Sequence, residues 1–403
     1  MAALLTIGLK AWPADKPTLK QSYQQYFRIG TAINRNLATG SAGFRRTPEQ
    51  VADDIALVRE QFNQVSPEND LKWQVIHPRE GANGYEFGAA DAFVNFGVTN
   101  RMYVIGHTLV WHSQTPDWVF AGTNPPPATA STNAAANTNT PAADQFRRGR
   151  FGGGFGRYNG PRASRDELLQ RMREHIQTVV GRYQGKVKCW DVVNEAIADG
   201  GGTNILRNSL WLEIVGPDFI AKAFEYAHQA DPDAILRYND YGLEDPAKRR
   251  KCIVLIKSLQ QQNVPVHAIG SQAHLNASIN FEKMDEALKD LETLGLPIHI
   301  TELDVNGAAG GQQGFGADIS ANDSATQGGL VSDANKKLAD AYAGIFRAFL
   351  KHRDSVRLVT FWGANDANSW RGGGKPLLFD GNCKPKPAFE AVISEASKAS
   401  REK

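Results

Sequence analysis

The chain has 403 residues, of which 41% are hydrophobic and 22% are charged, and its formal net charge at pH 7 is +2. This composition is typical of globular proteins, and the small net charge argues against a dedicated nucleic-acid-binding protein, which normally carries a large basic excess. No apolar stretch approaches the length of about eighteen residues that a membrane-spanning helix needs, so the sequence predicts none.

The N-terminal segment Met1–Leu9 is apolar but short and lacks a basic region. We interpret it as an ordinary N terminus, with a signal-peptide remnant as the alternative. The three cysteines, Cys189, Cys252 and Cys383, lie far apart and show none of the spacings of a structural zinc site. We therefore expect buried free thiols, with one disulfide bond among them as the alternative.

Strand-like runs alternate with helical runs along the chain. The strand candidates are short, rich in β-branched residues and mostly continuously apolar, as is typical of strands that are buried on both faces of a parallel sheet. They are Tyr26–Ile33, Gln64–Asn69, Met102–Trp111, Val187–Glu195, Ala234–Gly242, His267–Leu275, Pro297–Val305 and Arg357–Asp366.

The segments between these strands have the apolar periodicity of amphipathic helices. One helix is predicted to begin after Thr47, because Pro48 stands at the first helical position and Gln50 completes a capping box. Ser164 and Glu167 stand in the same relation at the start of a second helix. Further helical patterns occupy residues 245–260, 280–295 and 332–350.

Eight strands that alternate with helices predict an α/β fold, namely a (β/α)8 TIM barrel. A doubly wound open sheet is the alternative, but the sequence has no G-x-G-x-x-G motif or phosphate-binding loop to support it. We predict a single domain over residues 1–403, with a core at about 22–395. Two low-complexity insertions interrupt the pattern, at about 121–163 after strand three and at about 306–330 after strand seven.

Polar and aromatic residues cluster at the C-terminal ends of the predicted strands, which in a barrel face one shared pocket. The cluster contains carboxylates, amides and tryptophans, but no nucleophile elbow and no Cys/His metal set. Its members are Glu68, Asn69, Lys72, His107, Trp111, Asn194, Glu195, Tyr241, Gln272, His274, Glu302, Asp304, Trp362 and Trp370.

Such a set of side chains indicates a carbohydrate site, because tryptophan faces stack on pyranose rings while amides and carboxylates bond to hydroxyl groups. Hydrolysis of a glycosidic bond needs two carboxyl groups. One has a raised pKa and protonates the leaving oxygen, and the other stays ionised and attacks the anomeric carbon. Glu195 and Glu302, each at the end of a strand with a polar neighbour, are the natural pair.

Six motifs, in order along the chain, resemble those of family-10 glycoside hydrolases, the β/α-barrel xylanases. The resemblance covers the chain from about Phe27 to Phe389 apart from the two insertions. The motifs are PENDLKW (Pro67–Trp73), GHTLVWHSQTPDWVF (Gly106–Phe120), WDVVNEAI (Trp190–Ile197), GSQAHL (Gly270–Leu275), HITELDV (His299–Val305) and FWGANDANSWR (Phe361–Arg371).

The resemblance implies a retaining endo-β-1,4-xylanase in which Glu195 is the general acid/base and Glu302 is the nucleophile of a double displacement. Asn194 is expected to bond the 2-hydroxyl of the sugar at the cleavage site. His274 is expected to contact the nucleophile, with Asp304 behind it.

The resemblance also implies roles for the other members of the cluster. Gln272 is expected beside the acid/base, and Tyr241 is expected to face the first acceptor subsite. Trp362 and Trp370 are similar to the tryptophans that cover the sugar at the cleavage site. The residues that resemble the family's glycone-binding set are Glu68, Asn69, Lys72, His107 and Trp111.

The expected substrate is xylan or a xylo-oligosaccharide, and no cofactor or metal is expected because catalysis by carboxylates needs none. We expect a monomer without nucleic-acid or membrane partners, and a secreted or periplasmic location because the polymer is too large to enter a cell. Two alternatives stay open. One is a β-1,4-glucanase or mixed-specificity β-glycanase of the same mechanism, and the other is a non-catalytic protein that binds polysaccharide or nucleic acid.

The first insertion contains QFRRGRFGGGFGRYNG, from Gln145 to Gly160. Its mixture of arginine, glycine and aromatic residues is typical of segments that bind single-stranded nucleic acid. On the rim of a carbohydrate cleft it could also form a lid or an additional sugar subsite. We favour a third interpretation, a surface insertion without a catalytic role.

Overall fold

The computed structural model describes residues 16–43, 46–122, 158–307, 330–371 and 374–401. The strands in these ranges run parallel to one another and are mostly buried along their whole length. They are β1 (Arg28–Ile33), β2 (Gln64–Pro67), β3 (Tyr103–Trp111), β4 (Val187–Asn194), β5 (Ile235–Asp240), β6 (Ala268–Ser271), β7 (His274–Asn276), β8 (Ile298–Asn306) and β9 (Val356–Phe361).

The strands close into a barrel. Neighbouring strands pair in chain order from β1 to β6, β6 then pairs with β8, β8 with β9, and β9 returns to β1. Each connection between parallel neighbours carries helical structure, as a β/α barrel requires. The predicted (β/α)8 barrel is confirmed.

Helices surround the barrel. The two predicted capping boxes are present, at Thr47 with Gln50 and at Ser164 with Glu167. The described α-helices are α1 (Leu19–Ser22), α2 (Arg35–Thr39), α3 (Pro48–Gln61), α4 (Trp73–Ile76), α5 (Gly88–Thr99), α6 (Arg165–Arg182), α7 (Leu210–Val215), α8 (Phe219–Ala230), α9 (Pro246–Gln261), α10 (Phe281–Glu292), α11 (Leu330–Lys351) and α12 (Pro387–Arg401).

The sixth predicted strand, His267–Leu275, is wrong as a continuous element. The structure divides it into β6 and β7, because Ala273 adopts the left-handed conformation with φ of 59°. The backbone hydrogen bonds of Gln272 bridge the gap, since its N–H donates to Asp240 and its carbonyl accepts from Glu302. The break lies directly before His274, a predicted site residue.

Four other predicted strands run too far toward their C-terminal ends. The predicted ends at Asn69, Glu195, Gly242 and Asp366 are replaced by Pro67, Asn194, Asp240 and Phe361. At Glu195 the reason is local, because the backbone there turns to φ of 57° and leaves the strand. Polar residues after these strands belong to the loops at the barrel mouth.

An aromatic cluster closes the barrel where the first and last strands meet. Phe361 on β9 stacks on Phe346 of α11 with ring centroids 6.0 Å apart, and Phe346 packs against Tyr23 and Phe349. Large buried aromatic side chains of this kind contribute most of the packing free energy of a core.

The barrel interior contains a charged layer that the apolar interpretation of the strands does not predict. Arg237 donates from Nε and Nη2 to the two carboxylate oxygens of Asp191, at 2.6 and 2.9 Å. Burial and the Arg237 charge lower the pKa of His299 to about 3, so its neutral Nδ1 accepts a hydrogen bond from Arg237 at 3.1 Å. Each charge in this layer has a partner, as burial of a charged group requires.

The three cysteines are free thiols, as expected; Cys189 and Cys252 are buried. Among the described helices none is both long and apolar enough to cross a membrane. Most of the two predicted insertions, over residues 123–157 and 308–329, lies outside the described residues. This includes the arginine-rich segment up to residue 157.

The first insertion leaves and returns through a neck of two short backbone segments, 120–122 and 161–163. The Gly122 N–H donates to Pro161 at 2.8 Å, and the Ala163 N–H donates to Phe120 at 2.8 Å. The guanidinium of Arg171 on α6 donates to the carbonyl of Ala121 at 2.7 Å. The neck therefore anchors both ends of the insertion to the barrel.

We expect that replacing residues 123–157 with two glycines leaves the fold intact, because the neck is retained. The melting temperature should change by no more than about 2 °C, the scale of a surface change in a domain of this size. Deletion of 121–163 removes the neck hydrogen bonds, so it should lower the melting temperature by clearly more than the replacement of 123–157 does. Calorimetry on both variants checks this, and an equal loss in both would contradict the role of the neck.

Candidate active site

Glu195 and Glu302 lie on different walls of the barrel mouth, Glu195 directly after β4 and Glu302 within β8. Both are more than nine-tenths buried. The left-handed backbone of Glu195 is held from both sides, because its N–H donates to the Asn239 carbonyl at 2.8 Å and its own carbonyl accepts from Arg207 at 3.1 Å. Such a conformation persists only where the surroundings fix it.

Two amide side chains connect the two carboxylates. Asn194 Nδ2 donates to Glu195 Oε1 at 3.2 Å, and Asn194 Oδ1 accepts from Asn239 Nδ2 at 2.9 Å. The same Nδ2 of Asn239 donates to Glu302 Oε1 at 2.9 Å. The sequence places Glu195 and Glu302 at two strand ends, and the structure joins them in one hydrogen-bonded network.

Gln272 lies on the Glu195 side of this network, next to the residue beside which the sequence predicts it. Its Nε2 donates to Glu195 Oε1 at 2.8 Å. The indole N–H of Trp111 donates to the other oxygen of Glu195, Oε2, at 2.9 Å. The sequence predicts Trp111 as a sugar-binding residue only, so this contact with Glu195 is an addition, and the sugar-binding role stays a prediction.

His274 lies between two carboxylates. Its Nε2 is 3.3 Å from Glu302 Oε2, and its Nδ1 is 3.1 Å from Asp304 Oδ1. The expected contact with Glu302 and the expected position of Asp304 behind it are therefore both present. Asp304 also accepts from the indole N–H of Trp370 at 2.7 Å and from Arg371 Nε at 2.8 Å.

These contacts decide the charge of the buried groups. Burial lowers the pKa of His274, but Asp304 and Glu302 together outweigh burial and raise that pKa to about 9, so the ring is protonated at neutral pH. Burial raises the pKa of Glu302, but the His274 hydrogen bond is the main influence that reverses this, and the net pKa is lowered. Glu302 is thus held as a carboxylate.

The two predicted roof tryptophans flank this group. The Trp370 ring centroid lies 5.0 Å from that of His274, and Trp362 packs edge-on to His107 at 5.4 Å. Trp362 and Trp370 line a pocket at the barrel mouth together with Glu68. A flat apolar wall beside carboxylates is the surface on which a pyranose ring can stack.

The predicted glycone-binding residues form a second group. Lys72 Nζ donates to Asn69 Oδ1 at 2.9 Å and to Gln114 Oε1 at 2.8 Å, and it lies 4.8 Å from the Trp111 ring centroid. Burial lowers the pKa of Lys72, although nearby carboxylates oppose this. Burial also raises the pKa of Glu68, against the influence of Lys72. His107 instead contacts the interior layer, with Nδ1 3.0 Å from Asp191 Oδ2.

Tyr241 also stands apart from the network that joins Glu195 and Glu302. Its hydroxyl bonds to Asp199 at 2.7 Å and accepts from Arg207 at 2.5 Å. Arg207 is the link to the rest of the site, because it also bonds the carbonyl of Glu195.

The sequence interpretation misses Asn239, which bonds to both halves of the network. The signal was present, since Asn239 lies in the polar end of the fifth predicted strand, but residue type alone does not show which way a strand-end amide points. Gln114 and the Asp191–Arg237 pair were missed because their partners lie on other elements of the barrel. Among the described residues, no group of three or more His, Cys, Asp and Glu side chains has the arrangement of a metal site.

A β/α barrel with two buried, hydrogen-bonded glutamates beside a tryptophan-lined pocket defines a glycoside hydrolase. Comparison with known proteins gives the family. The family model described as glycosyl hydrolase family 10 matches residues 18–395, and the chain belongs to this family.

Relatives of similar length support this assignment. The chain is 36% identical to a β-1,4-xylanase of Dictyoglomus thermophilum, over 97% of this chain and 96% of the relative. It is 37% identical to an endo-1,4-β-xylanase of Geobacillus stearothermophilus, over 94% of this chain and 98% of the relative.

Solved structures agree. A family-10 endoxylanase from a sugarcane soil metagenome matches with a TM-score of 0.75 at 35% identity, covering 94% of this chain and all of the other. An intracellular xylanase of Thermoanaerobacterium saccharolyticum, in a complex with xylotetraose, matches with a TM-score of 0.72 at 33% identity, covering 94% and 98%.

The His274–Glu302 pair predicts a change in pH dependence. The pKa of Glu302 is lowered, so an activity that needs its carboxylate is present above that pKa and is lost as the pH falls through it. Replacing His274 with asparagine removes the cation and should raise the pKa of Glu302. The acid limb of kcat/KM should move to higher pH by about 1–3 units, the effect of a neighbouring charge.

A pH–rate profile of His274→Asn on xylan, the expected substrate, checks this shift. His352→Asn is the matched control, because His352 pairs with Asp285 and Glu292 of α10 rather than with the site. Its acid limb should stay in place. An unshifted limb in His274→Asn would show that His274 does not set the ionisation of Glu302.

Proposed function

We propose that the protein is a retaining endo-β-1,4-xylanase. The observation that supports this most directly is the pair of buried glutamates, Glu195 and Glu302, joined through Asn194 and Asn239. The relatives named above are xylanases, and one solved relative is a complex with xylotetraose.

In the first step, the Glu302 carboxylate attacks the anomeric carbon and forms a glycosyl ester. The bond between that carbon and the leaving oxygen breaks, and Glu195 donates its proton to the leaving oxygen. The lowered pKa of Glu302 keeps the attacking oxygen ionised. Glu195 accepts hydrogen bonds from Trp111 and Gln272, which fix the orientation of its carboxyl group.

In the second step, the leaving part of the chain is replaced by water. Glu195, now a carboxylate, takes a proton from that water, and the water oxygen attacks the anomeric carbon and releases Glu302. Both attacks invert the anomeric carbon, so the product keeps the β configuration. This mechanism requires the two carboxyl groups to be about 5–5.5 Å apart.

We expect a pentose substrate to fit the roof better than a hexose does. The Trp370 indole is fixed by its hydrogen bond to Asp304 and lies against His274, so it has little freedom to move away. We expect a hydroxymethyl group at C5 of a glucose unit to crowd this tryptophan wall. The β-1,4-glucanase alternative is therefore less well supported than the xylanase.

The proposal predicts that linear xylan is cleaved at internal bonds and that the first product formed is the β anomer. Time-resolved proton NMR on linear xylan reports the bond that is cleaved and the anomer in one experiment. Initial rates on carboxymethyl cellulose should be much lower than those on xylan. Glu302→Gln keeps the side-chain volume but lacks the carboxylate, so it gives the background rate of hydrolysis.

Two results would contradict the proposal in different ways. Initial formation of the α anomer would exclude the double displacement, although not the substrate. Faster cleavage of carboxymethyl cellulose than of xylan would replace the xylanase with the glucanase alternative.

A further inference from the structure

A buried carboxylate near the tryptophan wall takes no part in the mechanism described above. Asp54 on α3 is fully buried, and it accepts two hydrogen bonds from the guanidinium of Arg46, of which the one from Nε is 2.9 Å long. The thiol of Cys383 donates to the same carboxylate at 3.2 Å, and burial raises the pKa of that thiol to about 12, so it keeps its proton. An ion pair buried this deeply needs its remaining bonding positions filled as well.

Two more donors to Asp54 belong to residues 363–369, which connect the two roof tryptophans and which we call the roof loop. Asn365 Nδ2 donates to Asp54 Oδ1 at 2.6 Å. Asn368 Nδ2 donates to Asp54 Oδ2 at 2.9 Å. The buried carboxylate therefore holds the roof loop at two points, one on each of its oxygens.

Asn365 also fixes the shape of the roof loop. Its Oδ1 accepts from the backbone N–H of Ala367 at 3.0 Å and of Asn368 at 3.3 Å, so it caps the single turn Asp366–Asn368. A side-chain amide has its acceptor and its donor on opposite branches. Because the donor branch bonds to Asp54, that bond decides which way the amide points and keeps the cap in place.

Asn368 connects the ion pair to the pocket at the barrel mouth. It lines that pocket together with the two roof tryptophans, and its Oδ1 accepts from Asn34 Nδ2 at 3.2 Å. Trp370 follows only two residues later in the chain. The backbone that carries the Trp370 ring is therefore placed by the same turn that Asp54 holds.

The Trp370 ring is fixed at one further point, its indole N–H, which bonds to Asp304. A ring held at that point alone can pivot about the bond, whereas a ring whose backbone is also held has one position. The turn has a second support, because Asp366 accepts from the Leu377 N–H and from Lys386 Nζ, each at 2.9 Å. We therefore expect loss of the Asp54 contacts to loosen the roof loop rather than to unfold it.

We propose that Asp54 is a positioning residue that sets the place of the tryptophan wall through Asn365 and Asn368, and that it thereby increases the preference for a pentose over a hexose. The inference rests on the proposed function. Because Asp54 is fully buried, it acts on the sugar only through the wall. Its removal should change which sugar the wall accepts.

Asp54→Asn tests the proposal, because it keeps the side-chain volume but removes the charge opposite Arg46 and places an N–H₂ group among donors. The substrates are p-nitrophenyl β-xylobioside and p-nitrophenyl β-cellobioside, which share a leaving group and differ in the hydroxymethyl groups of the sugars. We expect the ratio of kcat/KM for the xylobioside to that for the cellobioside to fall about ten-fold, the lower end of what a rigid pocket gains against one extra group. A loss of folded enzyme lowers both values equally and leaves the ratio unchanged.

Asn365→Ser repeats the test in a way that keeps the Arg46–Asp54 pair. Serine retains an oxygen that can cap the turn, but its shorter side chain loses the bond to Asp54. The ratio should fall in the same direction. This variant decides the question if Asp54→Asn does not fold.

Glu395→Gln is the matched control. Glu395 on α12 is also a buried carboxylate that accepts two hydrogen bonds from one guanidinium, that of Arg347 on α11. Its other bond is to Lys398 of the same helix rather than to the roof loop. Both substitutions should lower the melting temperature, but only Asp54→Asn should change the ratio of the two substrates.

A double-mutant cycle shows whether Asp54 acts through the wall. In a Trp370→Ala background, Asp54→Asn should have little further effect on the ratio, because the ring that it positions is already absent. An undiminished second change would contradict the proposal. An unchanged ratio in both Asp54→Asn and Asn365→Ser, or an equal change in Glu395→Gln, would overturn it as well.

The failure of the proposed function would look different. If the unaltered enzyme cleaves neither glycoside, or cleaves the cellobioside faster, the xylanase proposal and the role of Asp54 fall together. If it prefers the xylobioside and the variants keep that preference unchanged, only the role of Asp54 is wrong.

Discussion

The side-chain amide of Asn239 is the contact that joins the two walls of the barrel mouth. Its Nδ2 donates to Asn194 at the end of β4 and to Glu302 on β8, while Asn239 itself is the last residue but one of β5. Thr301 Oγ1 donates to Asn239 Oδ1 at 2.7 Å, which fixes which way the amide points. The carboxyl groups of Glu195 and Glu302 are thus linked across the barrel mouth through the amides of Asn194 and Asn239.

The site also depends on the electrostatic environment that keeps Glu302 ionised. Burial alone would favour the neutral form of Glu302, and a neutral carboxyl group is a poor nucleophile. The hydrogen bond from His274, together with the charge of that ring, reverses this, and Asp304 keeps the charge on the ring. Asp304 is in turn held by Trp370 and Arg371, so one carboxylate connects the ionisation of Glu302 to the tryptophan wall.

The fold and the clustering of polar residues near the strand ends could be predicted because each depends on local pattern. The period of the apolar residues, the capping boxes at Thr47 and Ser164, and the polar strand ends are all visible in the sequence. The break at Ala273 could not be predicted, since it depends on the backbone contacts of Gln272 with β5 and β8. Asn239 and Arg237 were missed because their partners lie on other strands.

Residues that act by their chemical type could therefore be predicted, whereas residues that act through tertiary contacts could not. Glu195, Glu302 and His274 carry chemistry by residue type, so their motifs identify them. Tyr241 does so only in part, because its contacts with Asp199 and Lys248 are set by tertiary packing. Residues that orient others have ordinary side chains and become visible only with their neighbours in place.

The account depends most on Glu302 being the ionised nucleophile of a covalent intermediate. Incubation with a 2-deoxy-2-fluoro-β-xylobioside carrying a good leaving group slows the second step, so the glycosyl ester should accumulate. Peptide mass spectrometry of the trapped enzyme should place the whole label on Glu302. A label on Glu195 or on another residue, or turnover with inversion and no label at all, would contradict the account.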